Sequence, residues 1–217
     1  MVNYIFILLF LINTPTRHKT ILCLGDSYTI GESVKPNERF PEQTVSLLNK
    51  KKTEFDAPEI IARTGWTTQN LMHAIEDRHI QTTFDFVTLL IGVNDQFQGK
   101  SISSYQTNFE FLLQTAIYYA GNKPDHVIVL SIPDYGVTPF AQYGRLSPHQ
   151  ISNEIDAFNS VNKTISKKYK VHYIDITPIS RKAKEENDLL AADGLHPSGL
   201  MYKEWAELVA EKINESE

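Results

Sequence analysis

The chain contains five short apolar runs separated by longer segments of mixed polarity. The runs are rich in Val, Ile and Leu and do not alternate with polar residues, which is typical of strands buried on both faces of a parallel sheet. They cover residues 20–24, 59–62, 86–91, 127–132 and 171–174. This pattern predicts a sheet of five parallel strands.

The segments between these runs carry the apolar stripes of amphipathic helices. Ser103, with Gln106 three residues later, predicts a capping box at the start of one helix, and Gly121 predicts its end. Ser147 and Pro148 suit the cap and first-turn positions of another helix. Further helices are predicted after Pro41, after Thr67 and Thr68, and after Pro197 and Ser198. The inner face of the last helix is predicted to carry Leu200, Met201, Trp205, Leu208, Val209 and Ile213.

Strands that alternate with helices in this way predict an α/β fold with helices on both faces of the sheet and right-handed crossovers. Ligands of such open sheets bind beyond the carboxyl ends of the strands. The residues that directly follow each apolar run are therefore the candidates for chemistry.

The first residues differ from the rest of the chain. A continuous apolar stretch, residues 4–12, has the length of the hydrophobic region of a secretory signal and is too short to span a bilayer. It is preceded by no Lys or Arg and followed by no small-x-small cleavage site. Residues 1–17 are therefore interpreted as a possible signal peptide or N-terminal extension. The protein would be periplasmic or secreted in the first case and cytoplasmic in the second.

Composition narrows the possible functions. The 217 residues are 41% hydrophobic and 22% charged, as expected for one soluble domain with a substantial core, and no stable membrane insertion is expected. The net charge is −5 and the basic residues occur only in short groups, so nucleic acid is not an expected partner. Cys23, the single cysteine, lies within the first apolar run and is expected to be a core residue.

A serine follows the first predicted strand, within the sequence Gly25-Asp26-Ser27. A serine hydroxyl becomes a good nucleophile when a histidine removes its proton and a third group orients that histidine. Of the seven histidines, His149 and His196 fall in predicted carboxyl-edge loops, and Asp193 precedes His196 by three residues. His196 with Asp193 is the preferred base, and His149 remains an alternative.

Each of these residues also has a purely structural interpretation. Asp-Ser after a strand is a common turn or helix cap, because both side chains bond neighbouring backbone N–H groups. Asp193 suits a turn as well, His196 could simply pack beside Pro197, and Asn94 with Asp95 could form an Asx turn after the third strand. Their joint placement at one edge of one sheet favours chemistry.

Attack on an ester carbonyl places negative charge on oxygen, and hydrogen-bond donors fixed around that oxygen lower the barrier. Three donors follow the first three predicted strands. They are the backbone N–H of Ser27, the backbone N–H of Gly65 and the side-chain amide of Asn94. These donors are the candidate oxyanion hole.

Four motifs in this order resemble those of the GDSL, or SGNH, hydrolase family. They are GDSYTIGES at 25–33, RTGWTT at 63–68, GVND at 92–95 and DGLH at 193–196. One departure is Tyr28, where the family name has leucine. This position is expected to affect packing and pocket shape rather than chemistry.

The resemblance implies a three-layer α/β/α, flavodoxin-like fold for residues 18–217 and hydrolysis of esters or thioesters through an acyl-serine intermediate. It implies the roles of nucleophile for Ser27, base for His196 and orienting group for Asp193. Ser27, Gly65 and Asn94 would be the oxyanion donors, and no metal or organic cofactor is required. Asp26 is expected to hold its loop through backbone hydrogen bonds.

The expected substrate is a small-molecule carboxylic ester, and acetylated sugars and acyl thioesters are also handled in the family. Substrate choice is predicted to lie with the long loop 133–149 and with Trp66. The loop carries Asp134, Tyr135, Phe140 and Tyr143, and the residues predicted to bind substrate are Trp66, Tyr135 and Phe140.

Two other functions remain open on the residues alone. A non-catalytic flavodoxin-like module could use 25–33 to bind phosphate, although neither glycine-rich phosphate-loop pattern is present. A metal-dependent hydrolase could use Asp193 and His196 as zinc ligands.

Overall fold

The structure is a computed structural model, and it describes residues 17–51 and 54–216. Its centre is a five-stranded sheet in which all neighbouring strands pair in parallel, in the order β2-β1-β3-β4-β5. The strands are β1 (Ile21–Gly25), β2 (Glu59–Ala62), β3 (Phe86–Leu90), β4 (Val127–Leu130) and β5 (His172–Ile174). The five predicted strands are confirmed, with ends that differ by at most two residues.

Burial explains why these runs form strands. All residues of β1, β3 and β4 are buried, so both faces of these strands are covered. Burying one Val, Leu or Ile side chain stabilises the fold by about 1.5–3 kcal/mol. Cys23 in β1 is 0% exposed, and this burial raises its thiol pKa to about 12, which confirms that it is a core residue.

Helices cover both faces of the sheet. They are α1 (Ser27–Ile30), α2 (Phe40–Lys50), α3 (Thr68–Arg78), α4 (Val93–Phe97), α5 (Ile102–Tyr119), α6 (Pro148–Tyr169), α7 (Thr177–Arg181) and α8 (Gly199–Glu215). Helices α2 and α8 pack against each other on one face, whereas α5 packs between α3 and α6 on the other. The chain therefore has the predicted α/β fold with three layers.

Most predicted helix starts are confirmed, and one is wrong. The side chains of Thr67, Ser147 and Ser198 cap α3, α6 and α8. The cap of α5 is Ser101 rather than Ser103, because the Ser101 hydroxyl accepts the N–H of Ser104. The predicted capping box at Ser103 therefore lies inside the helix.

Two further details depart from the sequence prediction. Leu200 was assigned to the inner face of α8, but it is 54% exposed because it lies in the first turn, beyond the edge of the core. The region after β4 is not an open loop, since it contains two short 3-10 helices, Tyr135–Val137 and Pro139–Tyr143, before α6 begins.

The possible signal segment lies outside the described residues, apart from Arg17, which pairs with Asp85 at 3.2 Å. Within the described ranges, none of the helices has both the length and the apolar character needed to cross a bilayer.

Candidate active site

Ser27 lies where β1, an interior strand of the sheet, ends. Asp26 is the N-cap of α1, and its side-chain oxygen Oδ1 accepts the N–H of Tyr28 at 3.0 Å, which confirms the predicted backbone hydrogen bond. Ser27 is the first residue of α1 and is only 4% exposed. The short helix therefore holds the Ser27 hydroxyl at the carboxyl edge of the sheet.

Gly25 is required by close packing at this strand end. A Cβ atom at Gly25 would lie 2.1 Å from the Thr29 hydroxyl and 2.4 Å from the Leu90 carbonyl oxygen. These distances are far below any normal contact, and the Leu90 oxygen belongs to the neighbouring strand. Glycine therefore lets the chain leave β1 tightly against β3 and turn directly into Ser27.

The structure brings Ser27, His196 and Asp193 into one chain of hydrogen bonds. The Ser27 Oγ is 2.9 Å from His196 Nε2, and His196 Nδ1 is 2.6 Å from Asp193 Oδ2. A carboxylate only accepts hydrogen bonds, so Nδ1 must donate and Nε2 is left to accept from the serine. This is the tautomer in which a histidine can take a serine proton.

A tight turn holds Asp193 beside the His196 ring. Its Oδ1 accepts the backbone N–H groups of Leu195 and His196, both at 3.0 Å. Partial burial opposes its ionisation, but hydrogen bonds from Ser33, from the His196 ring and from the two backbone groups outweigh this effect and lower its pKa to about 2. Asp193 is therefore a carboxylate at neutral pH.

The three candidate oxyanion donors line the same cavity as His196. In the described part of the chain, no acceptor is found for the backbone N–H of Ser27 or of Gly65. Gly65 has a φ of 81°, a conformation that favours glycine, and no atom lies within 4 Å of where its Cβ would be. The Asn94 amide donates one hydrogen to the Trp66 carbonyl at 3.0 Å and keeps its second hydrogen.

Asp95 positions this donor loop, a role that was not recognised from the sequence. Its two carboxylate oxygens accept the backbone N–H of Thr68 at 2.8 Å and the Thr68 hydroxyl at 2.7 Å. Asn94 and Asp95 thus tie the start of α4 to both ends of the segment 66–68, directly after Gly65. The sequence signal for this role was the position of Asp95 as the last residue of the GVND motif.

Apolar side chains form most of the cavity wall around Ser27. The cavity has a volume of about 130 Å³, and its wall includes Tyr28, Val93, Phe97, Tyr135, Phe140 and Leu195. Tyr135 and Phe140 therefore lie where substrate contact was predicted. Tyr28 packs its ring 5.2 Å from the His196 ring, as a packing role requires.

Trp66, which was predicted to bind substrate, and two other residues of the loop 133–149 do not line this cavity. Trp66 is absent from its wall because the indole packs partly buried against the core, and only its carbonyl takes part in the site. Tyr143 lines an adjoining cavity of about 460 Å³ that shares Phe97 and Tyr135 with the first. Asp134 is buried and pairs with Arg181 at 2.9 Å.

His149, the alternative base, lies elsewhere. It is the second residue of α6, is exposed, and contacts Asn153 at 3.2 Å. Its assignment to a carboxyl-edge loop was therefore wrong, because α6 begins at Pro148. Among the described residues, no group of three or more His, Cys, Asp or Glu side chains has a metal-binding arrangement.

The match with a known family extends over most of the chain. A model of the GDSL-like lipase/acylhydrolase family matches residues 23–204, a span that contains all four motifs. The protein belongs to this family. This GDSL-family protein is therefore a hydrolase.

Solved structures share the fold of this GDSL-family protein. TesA has a TM-score of 0.69 at 17% identity, over 92% of this chain and 100% of TesA. The lipase/acylhydrolase from Enterococcus faecalis has a TM-score of 0.71 at 21% identity, over 91% and 96%. Axe2, an acetylxylan esterase from Geobacillus stearothermophilus, has a TM-score of 0.67 at 18% identity, over 90% and 94%. These similarities establish the three-layer fold of the family, and no curated protein matches the sequence.

Asp26 is expected to make the stability of this GDSL-family hydrolase depend on pH. Burial raises its pKa from 3.8 to about 8, so the stability it contributes when protonated is lost as pH rises from about 4 through 8. Asn is neutral and still accepts the Tyr28 N–H. Asp26→Asn is therefore expected to have a higher Tm than wild type, by a difference that grows from pH 5 to pH 8 and stays constant above pH 8. Each 1 kcal/mol of unfolding free energy gained should raise Tm by roughly 2–4 °C.

Thermal unfolding between pH 5 and 9 measures this difference, with the exposed Asp188→Asn as the control that shows no such trend. Ester hydrolysis is expected to stay within about tenfold of wild type, because no reacting atom is removed. Loss of hydrolysis at unchanged Tm would instead give Asp26 a chemical role.

Proposed function

We propose that this protein is a serine esterase that cleaves carboxylic esters of short acyl groups through an acyl-serine intermediate. The observation that carries the proposal is the continuous hydrogen-bond chain from Ser27 Oγ through His196 to Asp193. Ser27 and His196, which share the first of these hydrogen bonds, lie 169 residues apart in the chain. A local turn or cap does not require such an arrangement.

In the first half of the reaction, Ser27 Oγ attacks the ester carbonyl while its proton passes to His196 Nε2. The ring then carries a positive charge, which the adjacent Asp193 carboxylate stabilises. The carbonyl oxygen becomes an oxyanion, and the N–H groups of Ser27 and Gly65 and the free hydrogen of Asn94 are its donors.

Collapse of this intermediate breaks the ester bond, and His196 returns the proton to the leaving alcohol. The product is an acyl group bound to Ser27. In the second half, His196 takes a proton from water, which attacks the acyl carbonyl, and the proton then passes to Ser27. Free acid and the original serine result.

The size of the cavity supports a short acyl group. Its volume of about 130 Å³ is well below the roughly 300–1,000 Å³ of pockets that enclose drug-sized ligands. The aromatic rings of Phe97, Tyr135 and Phe140 pack against one another and form an apolar wall, which suits a small hydrocarbon chain. A longer chain would extend past this wall into the adjoining cavity, whose lining includes the polar side chains of Gln96, Arg145 and Glu154 and therefore suits hydrocarbon less well.

Hydrolysis of p-nitrophenyl esters tests the proposal, since only the acyl chain differs within the series. We expect kcat/KM for acetate and butyrate to exceed that for octanoate by about tenfold or more, because a chain outside the cavity gains little transition-state binding. Activity should persist in EDTA, whereas its loss would support the zinc alternative.

Phe140→Ala should enlarge the cavity and therefore reduce the ratio of kcat/KM for butyrate to kcat/KM for octanoate. Phe111→Ala is the matched control, because Phe111 is 53% exposed on α5 and does not line the cavity. A preference for octanoate in the wild type would contradict the short-acyl assignment.

A further inference from the structure

A turn that follows the nucleophile contacts both sides of the candidate site. After α1, the chain continues through Gly31, Glu32 and Ser33, and the Glu32 N–H bonds back to the Ser27 carbonyl at 3.0 Å. The Glu32 carboxylate accepts the Thr64 hydroxyl beside Gly65. The Ser33 hydroxyl donates to Asp193 Oδ2 at 2.6 Å.

Ser33 makes this contact in an unfavourable backbone conformation. Its φ is 66°, in the left-handed region that glycine and asparagine tolerate better than serine. Such a conformation persists when surrounding interactions hold it, and these are often functional. The side chain is exposed, so neither core packing nor burial explains a serine here.

The hydroxyl completes the coordination of the Asp193 carboxylate. Oδ1 accepts two backbone N–H groups, and Oδ2 accepts His196 Nδ1 and the Ser33 hydroxyl. Three of these four donors belong to residues 195 and 196, beside Asp193 itself. Ser33 is the donor that comes from a distant segment, 160 residues earlier.

We propose that Ser33 is a positioning residue of this site, whose hydroxyl fixes Asp193 Oδ2 and limits the negative charge that this oxygen presents to the His196 ring. The inference rests on the proposed function. A carboxylate oxygen shared between two donors stabilises the protonated ring less than one that serves the ring alone. His196 must be neutral to accept the Ser27 proton, so Ser33 keeps the base available at lower pH.

Other ionisable groups surround Asp193 and His196 from several elements. Tyr28 at α1 and Tyr202 on α8 interact electrostatically with Asp193, and the Tyr28 ring also packs against the His196 ring. Tyr135 after β4 lines the cavity together with His196. Asp26, Glu32 and Asp134 lie further out and act on one or both of Tyr28 and Tyr202. Every one of them is retained when only the Ser33 side chain is changed. A comparison of variants at this position therefore isolates the hydroxyl.

Ser33→Gly is the decisive variant, because glycine removes the hydroxyl and suits the backbone better. We expect the acid limb of the kcat/KM profile for p-nitrophenyl acetate to move up by about half a pH unit to one pH unit. At pH 6 this lowers kcat/KM about three- to tenfold, whereas at pH 8.5 the value stays within about twofold of wild type. Tm should be unchanged or higher.

Lys170→Gly is the matched control, since Lys170 has a φ of 59° at the exposed end of α6, remote from the site. It should change Tm in the same direction and leave the pH profile unchanged. The inference would be overturned if the pH profile of kcat/KM for Ser33→Gly matched that of wild type. It would also be overturned if the acid limb moved equally in Ser33→Gly and Lys170→Gly.

Two further measurements separate this inference from the proposed function. If Ser27→Ala is inactive while Ser33→Gly keeps the wild-type profile, only the role of Ser33 is wrong. If Ser27→Ala keeps full activity, the proposed function fails.

NMR titration of the His196 ring needs no turnover and can be carried out in Ser27→Ala, with and without Ser33→Gly. The titration midpoint of the ring is expected to move to higher pH when Ser33→Gly is present. An unchanged or downward shift in that titration contradicts the role of Ser33.

Discussion

Ser27→Ala is expected to lower kcat for p-nitrophenyl acetate by about 10⁴- to 10⁶-fold, the range in which removal of a nucleophile leaves only the contributions of binding and the oxyanion donors. The variant keeps the backbone N–H of residue 27, Gly65 and Asn94. It lacks the oxygen that would bond to the acyl carbon. The loss should therefore appear in kcat rather than in KM.

The fold should survive this substitution. Ser27 is small, occupies the first position of α1, and alanine is a good helix former. Saturation kinetics and thermal unfolding together measure the effect, with Ser104→Ala as a matched control on the exposed surface of α5. Mass spectrometry adds a test without turnover: a p-nitrophenyl phosphonate should add one phosphonyl group to wild type and none to the variant. Retention of more than about 1% of kcat by a folded Ser27→Ala would exclude Ser27 as nucleophile.

Asp193→Asn is expected to lower kcat about 10³- to 10⁴-fold through the tautomer of His196. The asparagine amide would face Nδ1 as a donor, so Nδ1 would become the acceptor and Nε2 would carry the hydrogen. An Nε2 that already carries hydrogen cannot accept the Ser27 proton. The charge that stabilises the protonated ring would also be lost.

The turn itself should remain intact in this variant. Asparagine retains an oxygen at the position of Oδ1, which accepts the N–H groups of Leu195 and His196. Tm should therefore change little. Kinetics at pH 7 and thermal unfolding check the result, and Asp188→Asn, an exposed aspartate on the same stretch of chain, is the control. Activity within tenfold of wild type would mean that Asp193 does not orient the base.

Local sequence determined the strands and most of the helix starts. Burial on both faces leaves a continuous apolar run, which is visible without any tertiary information, as in β1 and β3. The helix caps at Thr67, Ser147 and Ser198 were equally visible, because a cap bonds only to residues two or three positions away. Ser103 was chosen wrongly because Ser101, Ser103 and Ser104 offer competing caps over a few residues.

The order of strands and loops also indicated which side chains could meet. Parallel strands deliver their carboxyl ends to one edge, so Ser27, Gly65 and Asn94 were expected to lie together, and they line one cavity. What the sequence could not determine was contact between side chains at that edge. Trp66 follows Gly65 directly, yet its indole packs against the core and not in the cavity.

Only the tertiary structure decided which hydrogen bonds hold the residues of the candidate site in place. Ser33 contacts Asp193 across 160 residues, where the turn after α1 meets the turn before α8. Asp95 contacts Thr68 across 27 residues, where α4 meets the start of α3. A hydrogen bond requires two groups within about 3 Å at a suitable angle, which no spacing along the chain encodes. The sequence by itself determined the fold and the edge of the sheet that carries the candidate site, whereas packing decided which groups hold the residues of that site in place.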